Sequence, residues 1–66
     1  MEIILNGDPI SVSIGTSIAQ ILEIYKIVAE SVVVEWNGAI VRSDAYGGTC
    51  LNDGDRLEFI RFVGGG

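Results

Sequence analysis

The sequence contains no histidine and only one cysteine, Cys50. One cysteine cannot form an internal disulfide, and without histidine or a second cysteine the chain has no zinc or iron–sulfur ligand set. The lack of histidine also removes the commonest general base, so no imidazole is present to activate the Cys50 thiol as a nucleophile. We therefore expect neither metal chemistry nor Cys–His catalysis.

Basic residues and long apolar runs are also scarce. Four Lys and Arg residues against nine Asp and Glu residues give a net charge of −5, which repels phosphate backbones and anionic lipid. No apolar run approaches the ~20 residues needed to cross a bilayer, and the opening residues lack the basic region of a signal peptide. We expect no nucleic-acid or membrane partner and a cytoplasmic location. The charge suits a basic protein surface, although solubility alone also accounts for it.

The composition that remains is that of one small globular domain. Of the 66 residues, 48% are apolar and 20% are charged, which predicts a modest hydrophobic core. Only the last three residues, 64–66, form a low-complexity segment, and all three are glycine. The predicted organisation is a folded domain at residues 1–63 and a flexible glycine tail at residues 64–66.

Two Asn-Gly pairs, at residues 6–7 and 37–38, divide the predicted strands. Asn and Gly both tolerate positive φ, so each pair predicts a tight hairpin turn. The first pair joins a strand at residues 1–6 to an arm in which Ile10, Val12 and Ile14 alternate with serine. The second pair ends the strand "VVVEWNG" and precedes a short return arm at residues 40–41. A last strand is predicted at residues 56–63.

One helix is predicted at residues 18–26. Ser17 followed three residues later by Gln20 is a capping-box pattern. The apolar residues Ile18, Ile21, Leu22 and Tyr25 recur at helical spacing and share one face. No glycine or proline follows residue 26, so the end of the helix is weakly marked.

This element order predicts an α+β fold in which one main helix covers a mixed sheet of four to five strands. The first hairpin and the last strand both fit under one helix if the last strand lies beside the first, in the centre of the sheet. That arrangement is the β-grasp.

Strand alternation divides the apolar residues between two faces. One face, with the helix, is predicted to form the core: Met1, Ile3, Leu5, Ile10, Val12, Ile14, Ile18, Ile21, Leu22, Val34, Leu57 and Phe59. The helix covers that face only, which leaves an apolar patch edged by two acidic residues and predicted to bind a partner: Ile4, Val33, Glu35, Glu58, Ile60 and Phe62. Alternatively, a loop or the short fourth strand covers one or two of these residues.

The tail of Gly64, Gly65 and Gly66 is either a frayed end or a segment from which side chains must be absent. A backbone without Cβ atoms enters a channel too narrow for other residues, and three extended residues reach about 10 Å. A free carboxylate is a poor electrophile, so an enzyme that used it would first convert it to a mixed anhydride with AMP.

The segments "GTSIAQILEIY", "VEWNGAIV", "RSDAY" and "TCLNDGDRLEFIRFVGGG" together resemble the ThiS family of sulfur carriers in thiamine biosynthesis over essentially the whole chain. The resemblance implies a ubiquitin-like fold and a Gly66 carboxylate that an E1-like adenylyltransferase activates with ATP and magnesium. It further implies conversion to a thiocarboxylate, with sulfur from a cysteine desulfurase or a rhodanese-type donor, and delivery to thiazole synthase. Gly65 and Gly66 match the family's terminal pair, and Gly64 stands where a small residue is usual. No permanently bound cofactor and no enzymatic activity are expected.

The departures from the family pattern are local. Val41-Arg42-Ser43 replaces a common Val-Pro-Arg, and Lys26 replaces a glycine often found at the helix end. Cys50 stands where a β-branched apolar residue is typical, which predicts a small core residue; a sulfur relay or a thiol enzyme is the alternative. The small subunit of molybdopterin synthase, a ubiquitin-like modifier of lysine side chains and an inert interaction module are the rival functions.

Overall fold

The structure, a computed structural model, describes residues 1–61. Along the chain these residues form β1 (Glu2–Leu5), β2 (Asp8–Ser11), α1 (Ile18–Ile24), β3 (Val32–Trp36), β4 (Ala39–Val41) and β5 (Arg56–Arg61). Two short 3₁₀ segments, Ala29–Ser31 and Ser43–Ala45, precede β3 and follow β4. Among residues 1–61, none of the helical segments has the length and apolar character of a membrane span.

The five strands form one mixed sheet in the order β2-β1-β5-β3-β4. The central strand β5 is parallel to β1 and antiparallel to β3. The last strand therefore lies beside the first, between the two hairpins. The predicted β-grasp architecture is confirmed.

Both Asn-Gly turns are two-residue hairpin loops with positive φ at each position. The φ angles are 50° and 87° at Asn6 and Gly7, and 51° and 86° at Asn37 and Gly38. Positive φ at both central residues is the signature of a type I′ turn, whose twist matches that of the flanking strands. The local chemistry of two residues thus fixes the register of both hairpins.

The capping box of α1 forms as predicted. The Ser17 hydroxyl accepts a hydrogen bond from the Gln20 backbone N–H at 3.2 Å, and the Gln20 side-chain oxygen accepts one from the Ser17 N–H at 2.8 Å. Both bonds satisfy backbone donors that the first turn of a helix leaves unpaired.

The predicted end of the helix is wrong by two residues, because α1 stops at Ile24. Lys26 takes a left-handed conformation with φ of 56°. Its N–H donates to the Glu23 carbonyl at 3.0 Å, and the next N–H, of Ile27, donates to the Leu22 carbonyl at 2.8 Å. These two bonds are the Schellman motif. Lys26 therefore ends the helix in the left-handed position that glycine usually occupies.

The core lies between α1 and one face of the sheet. Ile3, Ile18, Ile21 and Val34 are fully buried there, as predicted. Met1, Ile10 and Val12 are partly buried against the same cluster. The buried residues of the cluster are Ile3, Leu5, Ile18, Ile21, Leu22, Val32, Val34, Tyr46, Leu51, Leu57 and Phe59.

One predicted core assignment and one predicted position on the apolar helix face are wrong. Ile14 is 89% exposed, because β2 ends at Ser11 and the chain turns at Gly15, where φ is 87°. Tyr25 is 46% exposed, because it caps the helix and does not continue its buried face. Tyr46 and Leu51, from the irregular segment before β5, contribute to the core instead. Burial raises the pKa of the Tyr46 hydroxyl.

Candidate functional site

The sheet face opposite α1 carries the residues predicted to bind a partner. In the β3–β5 register, Val33 pairs with Ile60 and Glu35 pairs with Glu58. On β1, Ile4 lies between the buried residues Ile3 and Leu5 and so points to this same uncovered face. The structure therefore brings together the five predicted residues that it describes.

This uncovered face is partly apolar and open to solvent. Ile60 is 46% exposed, while Ile4 and Val33 are half-buried. The short strand β4 pairs at the edge of the sheet and does not lie over the patch. The alternative that the fourth strand covers these residues is thereby wrong.

Ile40 also belongs to this face, although it is not among the residues predicted for it. It pairs with Glu35 in the β3–β4 register and is 70% exposed. The two-residue Asn37-Gly38 turn fixes that register, so counting back from the turn would have placed Ile40 opposite Glu35. The apolar patch thus extends across β1, β5, β3 and β4.

Two carboxylates interrupt the apolar patch. Glu35 and Glu58 lie directly opposite each other on β3 and β5. In residues 1–61 the only ion pair within 4 Å is an exposed one elsewhere, between Arg42 and Asp44 at 3.7 Å. Like charges directly opposite each other on a sheet destabilise it. A partner surface that combines apolar side chains with a cation complements this face.

A shallow depression of about 220 Å³ lies beside the carboxylate pair, between the two Asn-Gly turns. Its walls carry both signs of charge, because Arg56 joins the two glutamates there. The lining residues are Ile4, Gly7, Glu35, Gly38, Arg56, Leu57 and Glu58.

A buried carboxylate, Asp55, anchors the start of β5. One of its oxygens accepts hydrogen bonds from the Trp36 indole N–H and the Asn52 backbone N–H, both at 2.8 Å. The other accepts from the Asn37 side-chain amide at 3.1 Å. Burial alone would raise the pKa of this carboxyl, but the bonds from Asn52, Trp36 and Asn37 favour the ionised form and hold the pKa below its ordinary value.

The two turn asparagines both hold β5 through their side chains. The Asn37 side-chain oxygen accepts from the Arg56 N–H at 2.9 Å, at the start of the strand. The Asn6 side-chain oxygen accepts from the Phe59 N–H at 2.8 Å, nearer the strand's end. The strand that leads into the glycine tail is therefore held on both edges.

Cys50 is exposed, so the prediction that it is a core residue is wrong. Its backbone forms an isolated bridge with Ser17, and the next residue, Leu51, is the one that enters the core. Successive side chains of an extended segment point to opposite sides, so burial of Leu51 turns Cys50 outward.

Phe62, Gly64, Gly65 and Gly66 lie outside the described residues. The docking role of Phe62 and the reactive carboxylate of Gly66 stay predictions, as does the boundary between the domain and the tail at residues 63–64. The predicted continuation of β5 to residue 63 lies outside the described residues as well.

Comparison with known proteins gives a consistent result. The model of the ThiS family matches residues 3–66. The crystal structure of the thiamine biosynthesis protein ThiS from Geobacter metallireducens is 36% identical, has a TM-score of 0.86 and is covered over 100% of both chains. This agreement confirms the resemblance seen in the sequence.

Several curated relatives match over all 66 residues, and two of them differ in how much of their own length is covered. A thiazole synthase from Magnetococcus marinus is 38% identical, but the chain spans only 20% of that protein's length. A protein named ycf40 from Pyropia yezoensis is 36% identical, and the chain spans 93% of its length. The first match is therefore to one segment of a larger protein, and the second is to nearly a whole protein.

Proposed function

The chain belongs to the ThiS family, and on that premise we propose that it carries sulfur for the thiazole ring of thiamine as a thiocarboxylate on Gly66. The observation that supports this most is the agreement in fold and length with ThiS from Geobacter metallireducens. The sulfur is bound covalently at the tail, and the folded domain supplies the surface by which enzymes recognise the carrier. In this role the chain is a cosubstrate that is consumed and regenerated, and it is not itself an enzyme.

The proposed chemistry has two steps at the tail. A carboxylate oxygen of Gly66 attacks the α-phosphorus of ATP, which forms an acyl adenylate and releases magnesium pyrophosphate. In the second step the outer sulfur of a persulfide on the donor attacks the acyl carbon, and AMP leaves with the electron pair of the broken C–O bond. A partner-enzyme thiol then attacks the donor's sulfur in the resulting acyl disulfide, which releases the thiocarboxylate and leaves a disulfide between that thiol and the donor. Adenylation makes the second step possible because AMP is a far better leaving group than oxide.

An E1-like adenylyltransferase is the proposed partner for both steps and supplies the ATP and magnesium site. A cysteine desulfurase or a rhodanese-type protein is the proposed sulfur donor. The exposed apolar face around Ile4, Val33 and Ile60 supports docking of such a partner, because a small domain rarely exposes a contiguous apolar patch without a binding role. We place these reactions in the cytoplasm, as expected from the sequence.

Thiazole synthase is the proposed acceptor of the sulfur. In Magnetococcus marinus, a protein named thiazole synthase contains a segment that is 38% identical to this chain. Two domains joined in one polypeptide meet at a high effective concentration, which is useful when they act on each other. That arrangement supports association between this chain and a separate thiazole synthase.

The rival functions predict different products from one experiment. The chain is incubated with a cognate E1-like enzyme, ATP and a sulfur donor, and its intact mass is measured. Replacement of one oxygen by sulfur supports the carrier, whereas covalent attachment to lysine side chains of other proteins supports a modifier. The thiocarboxylate product is then offered to thiazole synthase and to the large subunit of molybdopterin synthase. Consumption by the latter alone would assign the chain to molybdenum cofactor synthesis.

A further inference from the structure

We infer that Asn6 is a positioning residue for the reaction at the tail, because its side chain fixes the last hydrogen-bonded position of β5 on the β1 edge. This inference rests on the proposed function. It concerns how the folded domain presents the tail, which is a separate question from whether the tail carries sulfur.

Asn6 extends the parallel pairing of β1 and β5 beyond the end of β1. Its backbone N–H donates to the Leu57 carbonyl at 2.9 Å, and its side-chain oxygen accepts from the Phe59 N–H at 2.8 Å. The residue pairs between β1 and β5 end with Leu5 opposite Leu57. The side-chain oxygen therefore replaces the backbone carbonyl that a longer β1 would have provided.

Alternate residues of β5 direct their backbone groups toward β1, which shows whether any hydrogen bond to that edge follows the one between Asn6 and Phe59. The backbone hydrogen bonds of Asp55, Leu57 and Phe59 point toward β1, since all three join residues Ile4 or Asn6. By strand alternation the N–H of Arg61 points the same way. Within residues 1–61, β5 makes no backbone pairing on the β1 edge after Phe59. The Asn6 side chain is thus the last partner on that edge before residue 62.

On the other edge, β3 pairs with β5 through Arg61, opposite Val32. Loss of the Asn6 bond would leave residues 59–61 held by β3 alone. An enzyme that must receive the tail in one direction would then encounter a smaller fraction of correctly directed chains. A smaller competent fraction raises the apparent dissociation constant in proportion and leaves the rate of the bound complex unchanged.

Asn37 offers a matched control at the other end of the strand. It also occupies the first position of an Asn-Gly type I′ turn, and its side-chain oxygen also accepts a β5 backbone N–H, that of Arg56 at 2.9 Å. Glycine tolerates the positive φ of both positions, so Asn6→Gly and Asn37→Gly retain the turns and remove only the side chains. Asn6→Asp keeps a side-chain oxygen that can still accept the hydrogen bond from the Phe59 N–H.

The test measures thiocarboxylate formation with the carrier as the varied substrate, and backbone amide exchange in the same proteins. We expect Asn6→Gly to raise the KM for the carrier about fivefold with kcat unchanged, and to speed exchange at Phe59. Asn37→Gly should lower the urea midpoint and speed exchange at Arg56, with the KM of the wild type. Asn6→Asp should keep the KM within about twofold of the wild type.

Equal KM values for the two glycine variants, or faster exchange at Phe59 with no change in KM, would overturn the role of Asn6. If Asn6→Gly does not fold, exchange in the wild type decides: the Phe59 amide must be protected and the Arg61 amide must not be. Absence of any thiocarboxylate on the wild type would instead contradict the proposed function itself, so the two failures are distinguishable.

Discussion

Glu35 on β3 lies directly opposite Glu58 on β5, in the middle of the sheet face that α1 leaves uncovered. Neither carboxylate has a cationic partner within 4 Å in residues 1–61. Two like charges in this position reduce the stability of the isolated domain. Because this glutamate pair lowers stability and lies on the exposed face, binding of a partner explains it better than folding does.

Neutralising one of the two carboxylates should therefore stabilise the free domain. We expect Glu58→Gln to raise the free energy of unfolding by about 0.2–1 kcal/mol, the usual size of a cross-strand charge pair. Urea unfolding measures this change, with Glu23→Gln on the exposed surface of α1 as the control. A loss of stability in Glu58→Gln would show that the two glutamates do not repel each other.

A charge in the apolar patch should impair recognition by the activating enzyme. Ile60 is 46% exposed on the uncovered face, and Ile24 is 62% exposed on α1. We expect Ile60→Asp to raise the KM for adenylation roughly tenfold, the size of a moderate interface contact, and Ile24→Asp to leave it unchanged. Steady-state kinetics and circular dichroism of both variants test this. Equal kinetics of the two folded variants would show that this face does not dock the enzyme, whereas unfolding of Ile60→Asp would contradict the assignment of Ile60 to the uncovered face.

The Asp55 carboxyl should make stability depend on acid pH. Its pKa is lowered in the folded state, so the unfolded chain takes up the proton first as pH falls. The contribution is complete above the unfolded value of about 4 and is lost as pH falls through the lower folded value. Asp55→Asn should cost about 1–3 kcal/mol at pH 7, because one amide hydrogen would face the N–H donors that now bind the carboxylate.

Urea unfolding of the wild type and Asp55→Asn between neutral and acid pH measures that dependence. The difference between the two proteins should shrink as the pH falls below about 4. A difference that stays constant over the whole range would mean that ionisation of Asp55 does not stabilise the fold.

Lys26 occupies a left-handed position at which glycine has no steric penalty. We expect Lys26→Gly to raise the free energy of unfolding by about 1 kcal/mol. Glu23→Gly, two residues before the cap inside α1, should lower it by about 0.5–1 kcal/mol. Thermal or urea unfolding of the pair tests both signs, and a loss of stability in both variants would contradict the Schellman assignment.

The features that the sequence predicts correctly are those set by local chemistry. The two Asn-Gly turns, the Ser17–Gln20 capping box and the alternation of β3 and β5 each depend on residues close together in the chain. Once the turns fix the registers, the composition of the uncovered face follows. The placement of β5 beside β1 needs the further condition that one helix must cover a single sheet.

The features that the sequence does not reveal depend on how distant segments pack together in the folded chain. Ile14 continues an alternating pattern but lies beyond the end of β2, and Leu51, not the neighbouring Cys50, enters the core. The Asp55 carboxylate accepts hydrogen bonds from Trp36 at the end of β3 and from Asn37 in the turn after it, as well as from Asn52 just before β5. These segments are far apart in sequence. No local pattern predicts which acidic residue becomes buried.

The most direct test of the central claim is the position of sulfur after activation. Wild type and a variant lacking Gly66 are incubated with the E1-like enzyme, ATP and a sulfur donor, then fragmented in a mass spectrometer. We predict one oxygen replaced by sulfur at residue 66 of the wild type, and an unmodified variant with an unchanged urea midpoint. Sulfur found on Cys50 instead, or a wild type left unmodified by enzymes that modify another carrier, would contradict the account.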